Sequence, residues 1–287
     1  MKHPFLMAVL TFFCAFSQYT FAQDAATTPE KYTAHNKGKF FISWGGNRDN
    51  YTKSDIHFKG DGYDFTVNDV KAHDKGKGYH VDYINPARMT IPQTNFKIGY
   101  FISDHYNVSI GIDHMKYVMT QNQMANVSGE INLPQSEAGS IHNGPYSNTP
   151  TRMTEDFLKF EHTDGLNYVN IQVNRFDDIS SWFGLPNTDK FQINLTEGIG
   201  AGILYPKTNA TLLSKERHDD FHISGYGLSA QVGLNFTFFK YFYIQGDLKG
   251  GYINMNDIKT TSSNADSASQ HFGFLQRIVS VGGIFRL

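Results

Sequence analysis

The sequence predicts an all-β protein: an antiparallel up-and-down transmembrane β-barrel, of eight strands with ten as the alternative. Three observations predict it. Apolar residues recur at every second position in eight separate segments, the signature of a strand with one apolar face. The links between those segments alternate between very short turns and long polar stretches. A short apolar export segment stands ahead of them all.

That segment begins with the basic residues Lys2 and His3 and continues as the apolar run 5–16, FLMAVLTFFCAF. Thr20-Phe21-Ala22 supplies small residues where a signal peptidase reads, so 1–22 is expected to be a signal peptide cut before Gln23. The run is shorter than the roughly 20 apolar residues a membrane-spanning helix needs, and no longer one follows. Residues 23–37 are polar and without period, a flexible leader, and 38–287 are expected to be the barrel domain.

The single cysteine, Cys14, lies in the export segment, so the mature chain has no disulfide and no thiolate metal site. Loss of Lys2 leaves 24 basic against 27 acidic residues, a net charge of −3. There is no polybasic run and no aromatic–basic interleaving, which argues against a nucleic-acid partner. Aromatic residues make up 15% and glycines number 26, a composition that suits strands in which only alternate residues are apolar.

The strands read in order. Phe40, Ile42 and Trp44 mark the first, near 38–47. Phe96, Ile98, Tyr100 and Ile102 mark the second, near 94–103; Val108, Ile110 and Ile112 mark the third, from about 106. Val169, Ile171 and Val173 mark the fourth, near 166–176. Phe191, Ile193 and Leu195, resuming at Ile199, Ala201 and Ile203, suit a fifth. Leu228 through Phe238 alternates without a break, Phe242, Ile244, Leu248 and Tyr252 follow, and Val279, Val281, Phe285 and Leu287 form the eighth. Links 103–105 and 239–241 are tight and 177–189 is moderate, as expected on the periplasmic side. Links of about 48–93, 120–160, 205–221 and 257–269 are long and polar. Ile56, Phe58, Tyr63, Phe65 and Val67 supply the extra hairpin that a ten-strand count would need.

The opposite face of these strands carries Lys97, Ser109, Asp113, Asn194, Thr196, Gln245, Asp247, Lys249 and Ser280. In lipid the apolar face must point outward and this polar face inward. A soluble sandwich would reverse the arrangement; the export segment, the terminal strand and the one-sided loops favour the barrel. An eight-stranded interior is just filled by side chains, so Lys97, Asp113, Asp247 and Lys249 are expected to form a buried ionic network.

With its export signal, its loop asymmetry and its terminal segment 277–287, RIVSVGGIFRL, the chain resembles the small outer-membrane barrels of Gram-negative bacteria, of the OmpA/OmpX and OmpW kind. Stretches 113–117, DHMKY, and 161–165, EHTDG, are also similar to an uncharacterised outer-membrane family. The resemblance implies the bacterial outer membrane as location, and contact with its lipid, with lipopolysaccharide and with the assembly machinery that reads such C-terminal segments. It carries no catalytic motif.

Counting by twos from Ile112 brings His114 and Lys116 onto the lipid face, and the same count places Glu197 there, unless a bulge among Gly198, Gly200 and Gly202 turns it inward. A charge at mid-membrane costs about 2–4 kcal/mol and almost nothing at the interface, so His114 and Lys116 are expected at the outer-leaflet headgroups. If the chain is an enzyme, His114 is the candidate base, with Lys116 on a lipopolysaccharide phosphate and Glu161, Thr163 or Asp164 orienting the imidazole. That outline is similar to lipid A-editing barrel hydrolases or acyltransferases, although Lys116 occupies the place of a serine nucleophile. The segment 216–222, ERHDDFH, has metal-ligand residue types at no recognised spacing, and neither a cofactor nor a metal is expected. The leading expectation is a non-porin barrel with a structural or surface-interaction role, the loops 48–93 and 120–160 meeting an extracellular ligand. A lipid A enzyme and a narrow conduit for small hydrophobic compounds are the alternatives.

Overall fold

A computed structural model describes residues 35–287 apart from 79, 85–91, 186–187 and 218–219. The expected signal peptide, 1–22, and residues 23–34 of the expected leader therefore lie outside the described residues. The last leader residues do not: Asn36 is buried, and the Lys37 amide donates to Asp104 Oδ1 at 2.9 Å.

Among the described residues fourteen strands form one antiparallel sheet: β1 (Phe40–Tyr51), β2 (Ser54–Gly60), β3 (Tyr63–Val70), β4 (Ala72–His73), β5 (Thr94–Phe101), β6 (Tyr106–Met119), β7 (Met124–Ile131), β8 (Gly144–Arg152), β9 (Leu158–Asp178), β10 (Phe191–Leu204), β11 (Asn209–Leu212), β12 (Gly225–Phe238), β13 (Phe242–Lys259) and β14 (Ser267–Phe285). Eight of them, in the order β1-β5-β6-β9-β10-β12-β13-β14, close into a ring because β14 also pairs with β1, from Phe40↔Phe285 to Tyr51↔Phe274. The ring therefore has the eight strands expected. The hairpin 54–70 does form, as β2 and β3, but outside the ring: β2 adds to the upper end of β14 and leads through β3 to β7 and β8.

On the ring, alternation sorts side chains by face as the sequence suggests. Ile42, Ile98, Ile110, Ile171, Ile199, Leu228, Leu248 and Val281 are exposed outward. From Phe242 to Tyr252, both exposed on β13, the chain climbs about 25 Å along the barrel axis, taking about 3.3 Å per residue and a tilt of about 40°. That is the height of a membrane's apolar band. Aromatic pairs mark its lower edge: Phe40 with Tyr100 at 4.9 Å and Phe191 stacked on Phe236 at 6.3 Å. Tyr205 stacked on Phe221 at 5.2 Å stands at the upper end of β10. Both neighbours of β10 pair with it in unbroken register, so no bulge turns Glu197 inward. It stays on the outer face opposite Arg175 and Val232.

The lumen is filled with polar groups, as predicted. Lys249 pairs with Asp113, and Asp113 also accepts from Asn95 (2.6 Å) and Asn170 (3.2 Å). The ammonium of Lys249 lies 5.1 Å from the centre of the Tyr168 ring. Asn174 donates to Asn107 and accepts from Gln231, and Gln245 donates to Asp247, each within 3.0 Å. A buried charge is tolerable only when such partners replace water. Lys97 and Asp247 line one cavity of about 40 Å³, room for only a few waters.

Apolar groups close the lumen towards the short turns. Phe41, Phe101, Phe176, Tyr243 and Ile284 cluster there, with Phe41–Phe101 at 5.6 Å and Phe101–Phe176 edge-on at 5.5 Å. Glycine makes this plug possible: a Cβ on Gly99 would fall 2.4 Å from the Phe41 ring, and one on Gly282 would fall 2.3 Å from Tyr243.

Candidate functional site at the capped mouth

At the other end the stretches expected to be polar loops are folded. β2, β3 and β7 bury Ile56, Phe58, Phe65, Val67 and Val127 on one face. Those side chains meet Phe157, just ahead of β9, Leu158 and Phe160 at its start, and Met115, Tyr117 and Phe272 above the lumen in one apolar core. Phe58 stacks on Phe65 at 5.3 Å and meets Phe160 edge-on at 5.6 Å. The alternation of β2 and β3 thus serves a cap, with apolar residues facing inward as in a soluble sheet. The outward face of the cap sheet is polar, carrying Asp55, His57, Lys59, Asp64, Thr66 and Asn68, with His57 Nε2 2.7 Å from Asp64 Oδ1.

The enzyme candidates sit where cap and belt meet. β6 pairs with β9 at Met115↔Leu166 and again at Tyr117↔His162, so Thr163, Asp164 and Gly165 together face the single residue Lys116. Gly165 takes φ +146°, and a Cβ there would lie 2.6 Å from Asn167 Nδ2. This bulge hides the upward continuation of β9, which the sequence pattern starts only near 166.

His114 keeps the outward register of Ile110 and Ile112 but is 4% exposed. Its Nδ1 lies 2.7 Å from Oδ1 of Asn167, across the strand pair, and Asn167 Nδ2 donates to the Tyr205 carbonyl at 3.1 Å. Asn167, which sequence reasoning missed, therefore orients the imidazole, with the proton assigned to Nδ1 by the hydrogen-bond network. Glu161 accepts from Asn209 at 2.7 Å and pairs with Lys75 at 3.5 Å. Asp164 pairs with Arg217 at 3.0 Å. Lys116 faces the bulge; burial first, then Lys75, lowers its ammonium below the usual lysine range. Asp164 is near Lys116, while Glu161 is engaged by Asn209 and Lys75, Asp164 by Arg217, and the His114 ring by Asn167. Thr163 is buried in the bulge.

Two further polar clusters lie under the cap. His162, fully buried, places Nδ1 2.8 Å from Thr208 Oγ1 and Nε2 3.5 Å from Gln270 Oε1. The Gln270 amide donates to Tyr117 Oη (2.7 Å) and Ser54 Oγ (2.8 Å), which ties β6, β9, β14 and the start of β2 together. Burial pushes the imidazole down to about 4, so it is neutral. The alternation Leu158, Phe160, His162 marks it as inward-facing once β9 is read past its bulge. In the second cluster Gln93 Nε2 bridges Asp49 Oδ2 (2.9 Å) and Asp74 Oδ1 (2.5 Å), and burial raises the Asp74 carboxyl above its ordinary value. In segment 216–222, His218 and Asp219 lie outside the described residues, and His222 pairs with Asp257 at 2.6 Å. Among the described residues no group of three or more His, Cys, Asp or Glu could hold a metal ion.

No family model matches the chain, and no curated protein matches it. Solved structures similar to it include OprG, an outer membrane protein from Pseudomonas aeruginosa, at 10% identity and TM-score 0.40, covering 88% of this chain and 99% of that one. Ail, the attachment invasion locus protein of Yersinia pestis, is 11% identical with TM-score 0.33, covering 87% and 99%. The outer membrane protease OmpT from Escherichia coli is 10% identical with TM-score 0.27, covering 91% and 100%.

Proposed function

We propose that this chain is an outer-membrane barrel that acts as a closed, capped scaffold: non-porin, and presenting the outward face of its cap sheet to a ligand or another surface molecule. The observation that carries the reading is the lumen. It holds a buried Lys249–Asp113 pair, is stopped by the Phe41–Tyr243 plug at one end and is roofed by the cap core at the other. A solute path would have to break apolar packing twice and strip a charge pair of its partners. The outward apolar band of about 25 Å supports the membrane location. The polar face around Asp55, His57 and Asp64 supports contact through hydrogen bonds and charge at a wet interface.

The test combines two measurements on the refolded protein. Folded and boiled samples should migrate differently on a gel, and planar bilayers containing the folded form should show no discrete conductance steps. Steady channel openings would overturn the closed-scaffold reading. Absence of any heat-dependent shift, with the protein recovered in the soluble periplasmic fraction, would overturn the membrane barrel itself.

A further inference from the structure

The link between β9 and β10 reads in sequence as an aqueous turn, yet it carries a 3₁₀ turn, Ser180–Phe183, with Trp182 73% and Phe183 60% exposed. The β12–β13 turn beside it exposes Phe239 (68%) and Tyr241 (66%). The two turns are tied together, since the Phe239 amide donates to the Lys190 carbonyl at 3.0 Å and Lys240 pairs with Asp189 at 3.0 Å. Four large aromatic side chains thus stand out from one end of the barrel, where solvation of so much apolar area is unfavourable.

We infer that Ser180–Phe183, with the β12–β13 turn, is seated in the phospholipid leaflet at the short-turn end and anchors the barrel there. The inference rests on the membrane-barrel reading above and adds an element that sequence reasoning leaves in water. Two observations select lipid as the occupant. The β12–β13 turn continues directly from the belt, since its flanking rings Phe238 and Phe242 lie 6.1 Å apart and Phe238 meets Phe191 at 5.2 Å. Cations also gather at the same end: besides Lys240, Lys39 and Arg286 flank the first and last ring strands, and burial first, then the nearby Arg286, holds the Lys39 ammonium below the usual lysine range. Amphipathic aromatics with basic residues beside them suit the headgroup layer, where rings sit among upper acyl carbons and cations meet phosphate.

The chain's two tryptophans make this testable. Trp44 lies on the outer face of β1 within the belt, so the variant W182F reports the belt and W44F reports Trp182. Each variant, first checked for folded gel migration, goes into phosphatidylethanolamine–phosphatidylglycerol vesicles brominated either high or deep in the acyl chain. The expected result is quenching of Trp182 emission by the high-brominated lipid at least as strong as that of Trp44, with little quenching by aqueous iodide. If Trp44 is quenched by lipid while Trp182 responds only to iodide, the inference is overturned and the barrel reading stands. Shielding of Trp182 from iodide without lipid quenching overturns it too, and assigns the surface to a protein contact. If neither tryptophan senses lipid, the membrane reading itself has failed.

Discussion

Acidification should loosen the cap through His162. In the fold this imidazole lies between the Tyr117 and Phe160 rings, 5.6 and 5.0 Å away, and burial holds it at about 4. In an opened cap it would titrate near 6.5. Between pH 6.5 and 4 the opened form therefore binds a proton that the closed form refuses, so stability falls as the pH falls through that window and levels off below it. The gap corresponds to about 3 kcal/mol, taking about 1.4 kcal/mol per pH unit. Asp74, whose carboxyl burial raises, works in the opposite direction. The comparison must therefore be with His162→Gln, which removes the titration while leaving an amide to meet Thr208 and Gln270. Hydrogen exchange of cap amides, corrected for the intrinsic pH dependence of exchange, reads the opening free energy. Wild-type protection should fall about a hundredfold more than that of the variant across the window. Equal slopes for the two proteins would refute the assignment of His162 as a buried neutral group.

Four further outcomes follow from named residues. Lys249→Met strands the buried Asp113 carboxylate and should lower stability by about 3–5 kcal/mol, read from the denaturant midpoint of the folded gel band; adding Asp113→Asn should recover part of that loss. Gly282→Val puts branched carbon into the space of the Tyr243 ring and should cost about 1–3 kcal/mol by overpacking, measured in the same assay. Gly165→Val strains the bulge at its positive φ, at a cost of about 1–3 kcal/mol; it should free His114 from Asn167, seen as a changed imidazole titration by NMR. Lipid A mass spectra should be unchanged by His114→Ala, and altered acylation would instead assign His114 to catalysis.

The ring was legible because period-2 alternation, tight turns and long links together specify an up-and-down barrel. The polar lumen followed from it, and of the four charged residues expected there, Lys97, Asp113, Asp247 and Lys249, the structure pairs Asp113 with Lys249. The cap was not legible, because alternation states only that one face is apolar. In β13 that face stands exposed on the outside of the ring; in β2 and β3 the same pattern, Ile56, Phe58 and Phe65, meets a protein core. β8 is harder still, since residues 144–152, GPYSNTPTR, show no apolar alternation; they pair along the edge of β7, and Tyr146 packs on Phe157. At the candidate site the count by twos gives His114 its outward register but says nothing of its burial against Asn167. Nor can it be carried across to Glu161 and Asp164, because three residues of β9 stand against one of β6 across the bulge. Only the glycine at 165, interrupting the strand pattern, hinted at that.

The pairing of β2 with β14 has a consequence for how the barrel closes. β14 runs beside β1 up to Phe274, is bridged by Thr52 to Gly273, and then runs beside β2 from Gln270 to Ser267. The junction between first and last strands is thus stitched twice, below by the ring and above by a hairpin from the first connection. Unzipping from above must first dismantle the cap, so fraying is directed to the end where Phe40 meets Phe285. In assembly, the earliest hairpin must wait for the last strand. Such long-range pairing is slow to form, and it makes a finished cap the mark of a barrel whose final strand has arrived.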